Sequence, residues 1–231
     1  MIDSAKTKVP AKTKIWWTNA TFFIAFHVLG LYAWFYHWPT TWKTWFLCYL
    51  NWQVSILGIT IGLRSPSTRV DIGYHRLWSH RSFTAKLSLR IILAAMGTLA
   101  FQGSIRFPLL IRFLTARWWA LRHRLHHRYT DTESDPYSAD RGLFYSHVGW
   151  IFVKQEYPKL RLVDKSDLDR DPVVRFQHRF FVPLALAGGL LLPALIGHLW
   201  IGSWAEGYLW GGVVARLLIW HCTYVPFASL C

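Results

Sequence analysis

The chain has 231 residues, of which 53 % are hydrophobic and 17 % aromatic, and it carries 26 Lys and Arg against 12 Asp and Glu. This apolar composition excludes an intrinsically disordered protein, because disordered chains lack the residues that form a core. A basic nucleic-acid-binding domain is disfavoured, since the +14 net charge coexists with long uncharged runs. The three cysteines show no paired spacing, so neither a disulfide framework nor a zinc ribbon is predicted. A membrane protein with one basic face explains both the charge and the hydrophobicity.

Four apolar stretches are long enough to cross a membrane, which takes about 20 helical residues. They cover about residues 15–36, 44–63, 180–200 and 208–231. The first is interpreted as a retained anchor, because its apolar run is too long for a cleaved signal peptide. Arg216 is the one cation inside these stretches, and it either snorkels to an interface or faces a site inside the bundle. The predicted fold is an all-α integral membrane protein with four transmembrane helices.

The positions of the cations predict the orientation of these helices. The N-terminal tail, residues 1–14, holds four lysines, and residues 64–179 hold 20 of the 26 Lys and Arg. The two short connections on the other side, residues 37–43 and 201–207, hold one cation and none. Positively charged segments stay in the cytoplasm. We therefore expect the tail and a helical cap formed by residues 64–179 to be cytoplasmic.

Two groups of histidines lie in the predicted cap. His75 and His80 belong to the segment GYHRLWSHRS, and His123, His126 and His127 belong to HRLHHRYTDTESDPY. On an ideal α-helix the second group shares one face, whereas His75 and His80 lie about 140° apart. Five candidate ligands exceed the three or four that one zinc ion takes, so we interpret the two groups as a site for two metal ions.

Other polar residues near these groups have more than one interpretation. The acidic residues Asp131, Glu133 and Asp135 either form a turn that ends in Asp-Pro or accept hydrogen bonds from ligand rings. The remaining histidines, taken singly, are interpreted as solvated or interfacial. They are His27, His37, His147, His178, His198 and His221.

The two histidine segments, with FYSHVGW and PVVRFQHRF, resemble the membrane-bound acyl-CoA desaturases and are most similar to the fungal stearoyl-CoA 9-desaturases. The similarity runs from about Trp16 to Thr223. It implies a fatty acid desaturase domain over residues 15–231, with four transmembrane helices beneath a cytoplasmic cap in the endoplasmic reticulum membrane. It also implies O2-dependent desaturation of long-chain saturated acyl-CoA, with cytochrome b5 as electron donor.

The resemblance further implies a di-iron centre held by histidine boxes and a basic contact to the coenzyme A phosphates. The residues that match the contact and the boxes are Lys154 and the five histidines His75, His80, His123, His126 and His127. An acyl chain also needs a narrow apolar tunnel. Aromatic residues near the boxes are candidate walls, although each is also typical of a core or interface. They are Trp78, Trp118, Trp119, Trp150 and Phe152.

Two other functions remain open from the sequence. A membrane fatty-acid or alkane hydroxylase would also carry histidine boxes, and a degenerate homologue would be a membrane protein without catalysis.

The sequence departs from the desaturase pattern at three places. Extra segments occupy about residues 61–71 and 106–116, and the chain ends before the third histidine box and the cytochrome b5 domain found in fungal members. We therefore expect a truncated or mispredicted gene product with an incomplete di-iron site and little or no activity as it stands.

Overall fold

The computed structural model describes residues 14–59, 62–65, 68–71, 73–101, 116–154 and 156–224. Helices make up most of this part, as predicted. The α-helices are α1 (Trp17–Tyr36), α2 (Trp42–Ile59), α3 (Leu87–Leu99), α4 (Ala116–Arg128), α5 (Leu143–His147), α6 (Ser166–Arg170), α7 (Pro172–Leu186), α8 (Leu192–Ile196), α9 (Trp204–Glu206) and α10 (Ala215–Tyr224). π-Helical stretches cover Gly73–Ser79, Ala187–Leu191, Gly197–Ile201 and Gly207–Val214, and short 3₁₀ turns cover Ala139–Arg141, Gly149–Phe152 and Pro158–Leu162.

One antiparallel hairpin interrupts the helical fold. Its strands, β1 (Gly62–Ser65) and β2 (Thr68–Asp71), pair with Gly62 opposite Asp71 and Ser65 opposite Thr68. The hairpin lies in the first of the two segments that depart from the desaturase pattern. The all-helical prediction therefore missed a short pair of strands between α2 and the first π-helix. The second segment, residues 106–116, lies outside the described residues except for Ala116.

Two helices of the described part are long and apolar enough to cross a membrane. They are α1, with 20 residues, and the continuous run Pro172–Ile201, with 30 residues. α1 coincides with the first predicted span, and Pro172–Ile201 contains the third. α2 has 18 residues and carries Lys43, Asn51 and Gln53, which lower its hydropathy. The second and fourth spans stay predictions, as does the cytoplasmic position of the cap.

Small residues allow α2, α3 and the π-helix Gly73–Ser79 to approach closely. A Cβ atom at Gly58 would lie 2.2 Å from the backbone nitrogen of Gly97, and one at Gly97 would lie 2.5 Å from the Tyr74 ring. Helices without larger side chains at a crossing can bring their backbones into contact. The amide of Gln177 in α7 then donates hydrogen bonds to Tyr74 and to Thr98 of α3. These contacts hold the first turn of the π-helix Gly73–Ser79 in the bundle.

Arg216 lies inside the bundle and is fully buried. Its guanidinium donates to the carbonyl oxygens of Leu99 (2.8 Å), Gly211 (2.8 Å) and Gly212 (3.0 Å), and to Oδ1 of Asn51 at 2.9 Å. The alternative in which this side chain snorkels to an interface is therefore wrong. Buried polar groups must be paired, and here one arginine connects α2, the end of α3 and the last two helical segments.

Candidate metal centre

Four of the five predicted ligands come together at one point. The ligand nitrogens of His75, His80, His123 and His127 all lie within 4.8 Å of one another. The Nε2 atoms of His75 and His80 are 3.0 Å apart, and those of His123 and His127 are 2.9 Å apart. In the part of the chain that the structure describes, this is the one group of three or more His, Cys, Asp or Glu with ligand atoms so close. An array of convergent imidazoles is the donor set of a transition-metal site.

The π-helix explains how His75 and His80 meet. The backbone N–H of His80 donates to the carbonyl of His75 at 2.9 Å, a hydrogen bond across five residues. Such a turn is wider than an α-helical turn, so residues five apart lie on the same face. The predicted separation of about 140° assumed an α-helix. That assumption was wrong, and the two rings point to one site.

The second group follows the prediction for His123 and His127 and differs for His126. His123 and His127 lie one turn apart on α4 and share a face. His126 instead places Nδ1 at 2.9 Å from both carboxylate oxygens of Asp135, and it is not part of the four-histidine group. Its ring still lies close to His127, with centroids 5.3 Å apart.

Asp135 performs both roles that the sequence left open for the acidic residues. Its side chain is 1 % exposed and accepts the backbone N–H groups of Asp131 (2.9 Å) and Tyr137 (3.1 Å), which closes the turn. The same carboxylate accepts the Nδ1–H of His126 and fixes the orientation of that ring. Glu133 is exposed in the same loop.

The electrostatics of the group favour neutral imidazoles. Desolvation lowers the pKa of His123 well below its ordinary value, and the neighbouring imidazoles of His75, His127, His80 and His126 lower it further. Desolvation also lowers the pKa of His127, followed by repulsion from His80 and His126, while Asp135 opposes the shift. Since a metal ion binds the neutral imidazole, both pKa shifts favour the form that a metal ion requires.

Of the five aromatic residues singled out by the sequence, Trp119 lies against the site. Its ring stacks on His123 with centroids 4.7 Å apart and planes 14° from parallel. Trp78, Trp118 and Trp150 are buried in the hydrophobic core, and Phe152 packs against it. The core interpretation therefore holds for these four.

An apolar cavity of about 600 Å³ lies between α3 and α7. Its lining includes Ala95 and Thr98 from α3 and Phe176 and Gln177 from α7. Gln177 of this lining also donates a hydrogen bond to the hydroxyl of Tyr74, the residue before His75. Lys154, the predicted contact to coenzyme A, is exposed and is not part of the cavity lining, and its backbone N–H donates to the carbonyl of Lys14 at 2.9 Å.

The structure contains a second histidine cluster that the sequence did not predict. His27, His221 and His147 come from α1, α10 and α5, and the structure joins them in a row. Nδ1 of His27 lies 2.7 Å from the carbonyl of Phe23, so this nitrogen donates and Nε2 accepts. His221 then donates from Nε2 to His27 at 3.0 Å and accepts at Nδ1 from Nε2 of His147 at 3.3 Å. The His221 ring lies between the other two, with centroids 5.2 Å from His27 and 5.5 Å from His147, and these three residues are not among those whose ligand atoms all lie within 4.8 Å of one another. No local sequence motif predicts this cluster, because its residues are distant in sequence.

Comparison with known proteins identifies relatives of one kind. The chain is 38 % identical over 209 residues to the probable acyl-CoA desaturase of Schizosaccharomyces pombe, an alignment that covers 90 % of this chain and 39 % of the relative. It is 37 % identical over 209 residues to the acyl-CoA Delta(11) desaturase of Trichoplusia ni, covering 88 % and 54 %. The acyl-CoA desaturase 1 of Saccharomyces cerevisiae is 38 % identical over 155 residues, covering 67 % and 28 %. The chain thus spans between about a quarter and about half the length of these three relatives. No protein-family model matches it.

Proposed function

The chain belongs to the acyl-CoA desaturase family, and on that premise we propose that it acts in the O2-dependent desaturation of long-chain saturated acyl-CoA, as a stearoyl-CoA 9-desaturase type. The observation that carries the proposal is the convergence of four imidazoles from two distant segments on one point. Relatives named acyl-CoA desaturases match between 67 % and 90 % of this chain. An unactivated C–H bond needs an oxidant that no side chain supplies, so a site built for a metal fits this reaction.

We propose iron as the metal, because imidazole ligands suit iron and the family resemblance points to it. Four convergent imidazoles fit the requirement of such a site, and His126 adds a fifth donor, since Asp135 holds its Nδ1 and leaves Nε2 for a metal. A di-iron centre would take all five histidines. Bound iron would supply the reactivity toward O2 that the side chains lack. The chain's own residues hold the metal and orient its ligands, and Trp119 shields the ring of His123.

The substrate has two dissimilar parts, and the proposal assigns a surface to each. The cavity between α3 and α7 is apolar and large enough for a hydrocarbon chain. Lys154 is an exposed cation and would contact the coenzyme A phosphates. Electrons would come from cytochrome b5. The protein would lie in the endoplasmic reticulum membrane as a four-span bundle, with its N-terminus and its histidines on the cytoplasmic side.

The test is expression in a cell that lacks its own desaturase, followed by analysis of fatty acids and of iron in the purified protein. Unsaturated products and bound iron, both lost in His123→Ala, support the proposal. Hydroxylated products would indicate the hydroxylase alternative. Bound iron without product would support the prediction that the chain is inactive as it stands. A protein without iron, indistinguishable from His123→Ala, would overturn the proposed metal site and leave a non-catalytic homologue.

A further inference from the structure

The four histidines of the metal site come from two separate elements. A contact between these elements is needed to hold the two pairs of histidines at a fixed distance. His75 and His80 belong to the π-helix Gly73–Ser79 and the residue after it, whereas His123 and His127 belong to α4. The side chain of Arg124, which directly follows His123, bridges the two. Its guanidinium donates to the carbonyl of Ser79 at 3.2 Å and to that of Trp78.

These two carbonyls belong to the last residues of the π-helix. Carbonyl groups at the end of a helix lack partners within the helix and carry partial negative charge, so a guanidinium is a suitable partner. His80 follows Ser79 immediately. Arg124 therefore joins the end of the π-helix, next to His80, to the helix that carries His123.

The guanidinium is itself held in place by α6. Asp167 accepts two parallel hydrogen bonds from it, Nη1 to Oδ1 at 3.0 Å and Nη2 to Oδ2 at 2.7 Å, and the carbonyl of Asp164 accepts a third at 2.7 Å. Arg81 also donates to Asp167, at 2.7 Å. A paired, two-pronged contact fixes the plane of a guanidinium, whereas the ammonium group of a lysine cannot reproduce it.

We propose that Arg124 is a positioning residue for the metal site, which sets the separation between the His75–His80 pair and the His123–His127 pair. The inference rests on the proposed metal-binding function of these histidines. In this role Arg124 contacts neither the metal nor the substrate. Its effect is to present four ligands at one point before the metal binds.

The chain contains a matched control in Arg117. This residue also lies on α4 and also pairs with an aspartate of α6, with Nε 2.7 Å from Oδ1 of Asp169. Both ion pairs are partly exposed, with arginine side chains 11 % exposed for Arg124 and 25 % for Arg117. The described contacts of Arg117 do not include the π-helix.

The experiment is titration of the purified, metal-free chain in detergent with Co²⁺ alone, followed by the visible absorption of the bound ion and by thermal unfolding. We expect Arg124→Lys to weaken Co²⁺ binding by about 10–100-fold, the usual effect of removing a residue that supports metal ligands, and to alter the absorption bands. Arg117→Lys should leave both unchanged. Equal Co²⁺ affinity and identical spectra in the two variants would overturn the proposal.

A second pair of variants covers the case in which Arg124→Lys does not fold. Asp167→Asn weakens the ion pair with Arg124, and Asp169→Asn weakens the ion pair with Arg117. Weaker Co²⁺ binding in Asp167→Asn alone supports the positioning role, and equal binding in both contradicts it. Failure of the proposed metal site gives a different result, because the wild-type chain and His123→Ala would then bind Co²⁺ equally weakly.

Discussion

The Nδ1 atom of His126 lies 2.9 Å from both carboxylate oxygens of Asp135, a side chain that is 1 % exposed. The carboxylate cannot donate when ionised, so the imidazole carries its proton on Nδ1 and keeps Nε2 free of hydrogen in the neutral form. The same carboxylate closes the turn that follows α4. One buried charge thus links the orientation of a candidate ligand to the fold of the loop beside it.

Asp135→Asn is expected to destabilise this loop. An amide has one acceptor oxygen in place of two, so at least one of the buried donors around it loses its partner, at a cost of about 1–3 kcal/mol in the free energy of unfolding. Thermal or denaturant unfolding in detergent measures the effect. Glu133→Gln is the matched control, because this acidic residue lies exposed in the same loop and should leave stability unchanged. Equal stability of the two variants would contradict the structural role of Asp135.

Removal of metal is expected to lower the stability of the folded chain. A ligand that binds only the folded state stabilises it by about 2.7 kcal/mol when its concentration is 100 times its dissociation constant. A chelator should therefore lower the unfolding temperature of the metal-loaded wild type and have no effect on His123→Ala.

His221→Ala tests the second histidine cluster, in which His221 contacts both His27 and His147. It should respond to the chelator as the wild type does, and loss of that response would place His221 in the metal site.

The fold was predictable to the extent that it depends on hydrophobicity. A mostly apolar, uncharged run of 20 residues predicts α1, and the uncharged run 180–200 predicts the part of the long helix Pro172–Ile201 that follows Arg179. The hairpin Gly62–Asp71 was not predicted, because its residues were assigned to the end of the second span and the start of the helical cap. The environment of Arg216 was also beyond prediction, since its partners Leu99 and Asn51 are far away in sequence.

The candidate site was predictable where ligand spacing matches an α-helix. His123 and His127 are four residues apart, and α4 brings their Nε2 atoms to 2.9 Å. The meeting of His75 with His80 depends on a π-turn, which no simple residue pattern announces. The role of Arg124 was hidden for another reason: its partners are backbone carbonyls and an aspartate in another helix, so its function depends on tertiary structure alone.

Replacement of Arg216 is expected to destabilise the bundle without changing the metal site. Arg216→Leu fills part of the space but leaves the carbonyl of Leu99 and Oδ1 of Asn51 without this donor, at about 1–3 kcal/mol for each buried group that loses its partner. Unfolding in detergent measures the loss. Arg175→Leu is the control, because this arginine is exposed on α7. If both variants unfold at the same temperature as the wild type, the network around Arg216 contributes no stability.

Filling the cavity between α3 and α7 is expected to impair the use of long acyl chains. Ala95 is exposed to this cavity, so Ala95→Trp places an indole in it without creating strain in a packed core. Affinity for long-chain acyl-CoA should fall more than affinity for shorter acyl-CoA, because a shortened cavity excludes the far end of the chain. Ile92→Trp adds the same side chain to α3 at an exposed position outside the cavity lining, and it should leave the chain-length profile unchanged. The measurement is the affinity of each variant for acyl-CoA of graded chain length. Identical profiles for the two variants would show that the acyl chain binds elsewhere.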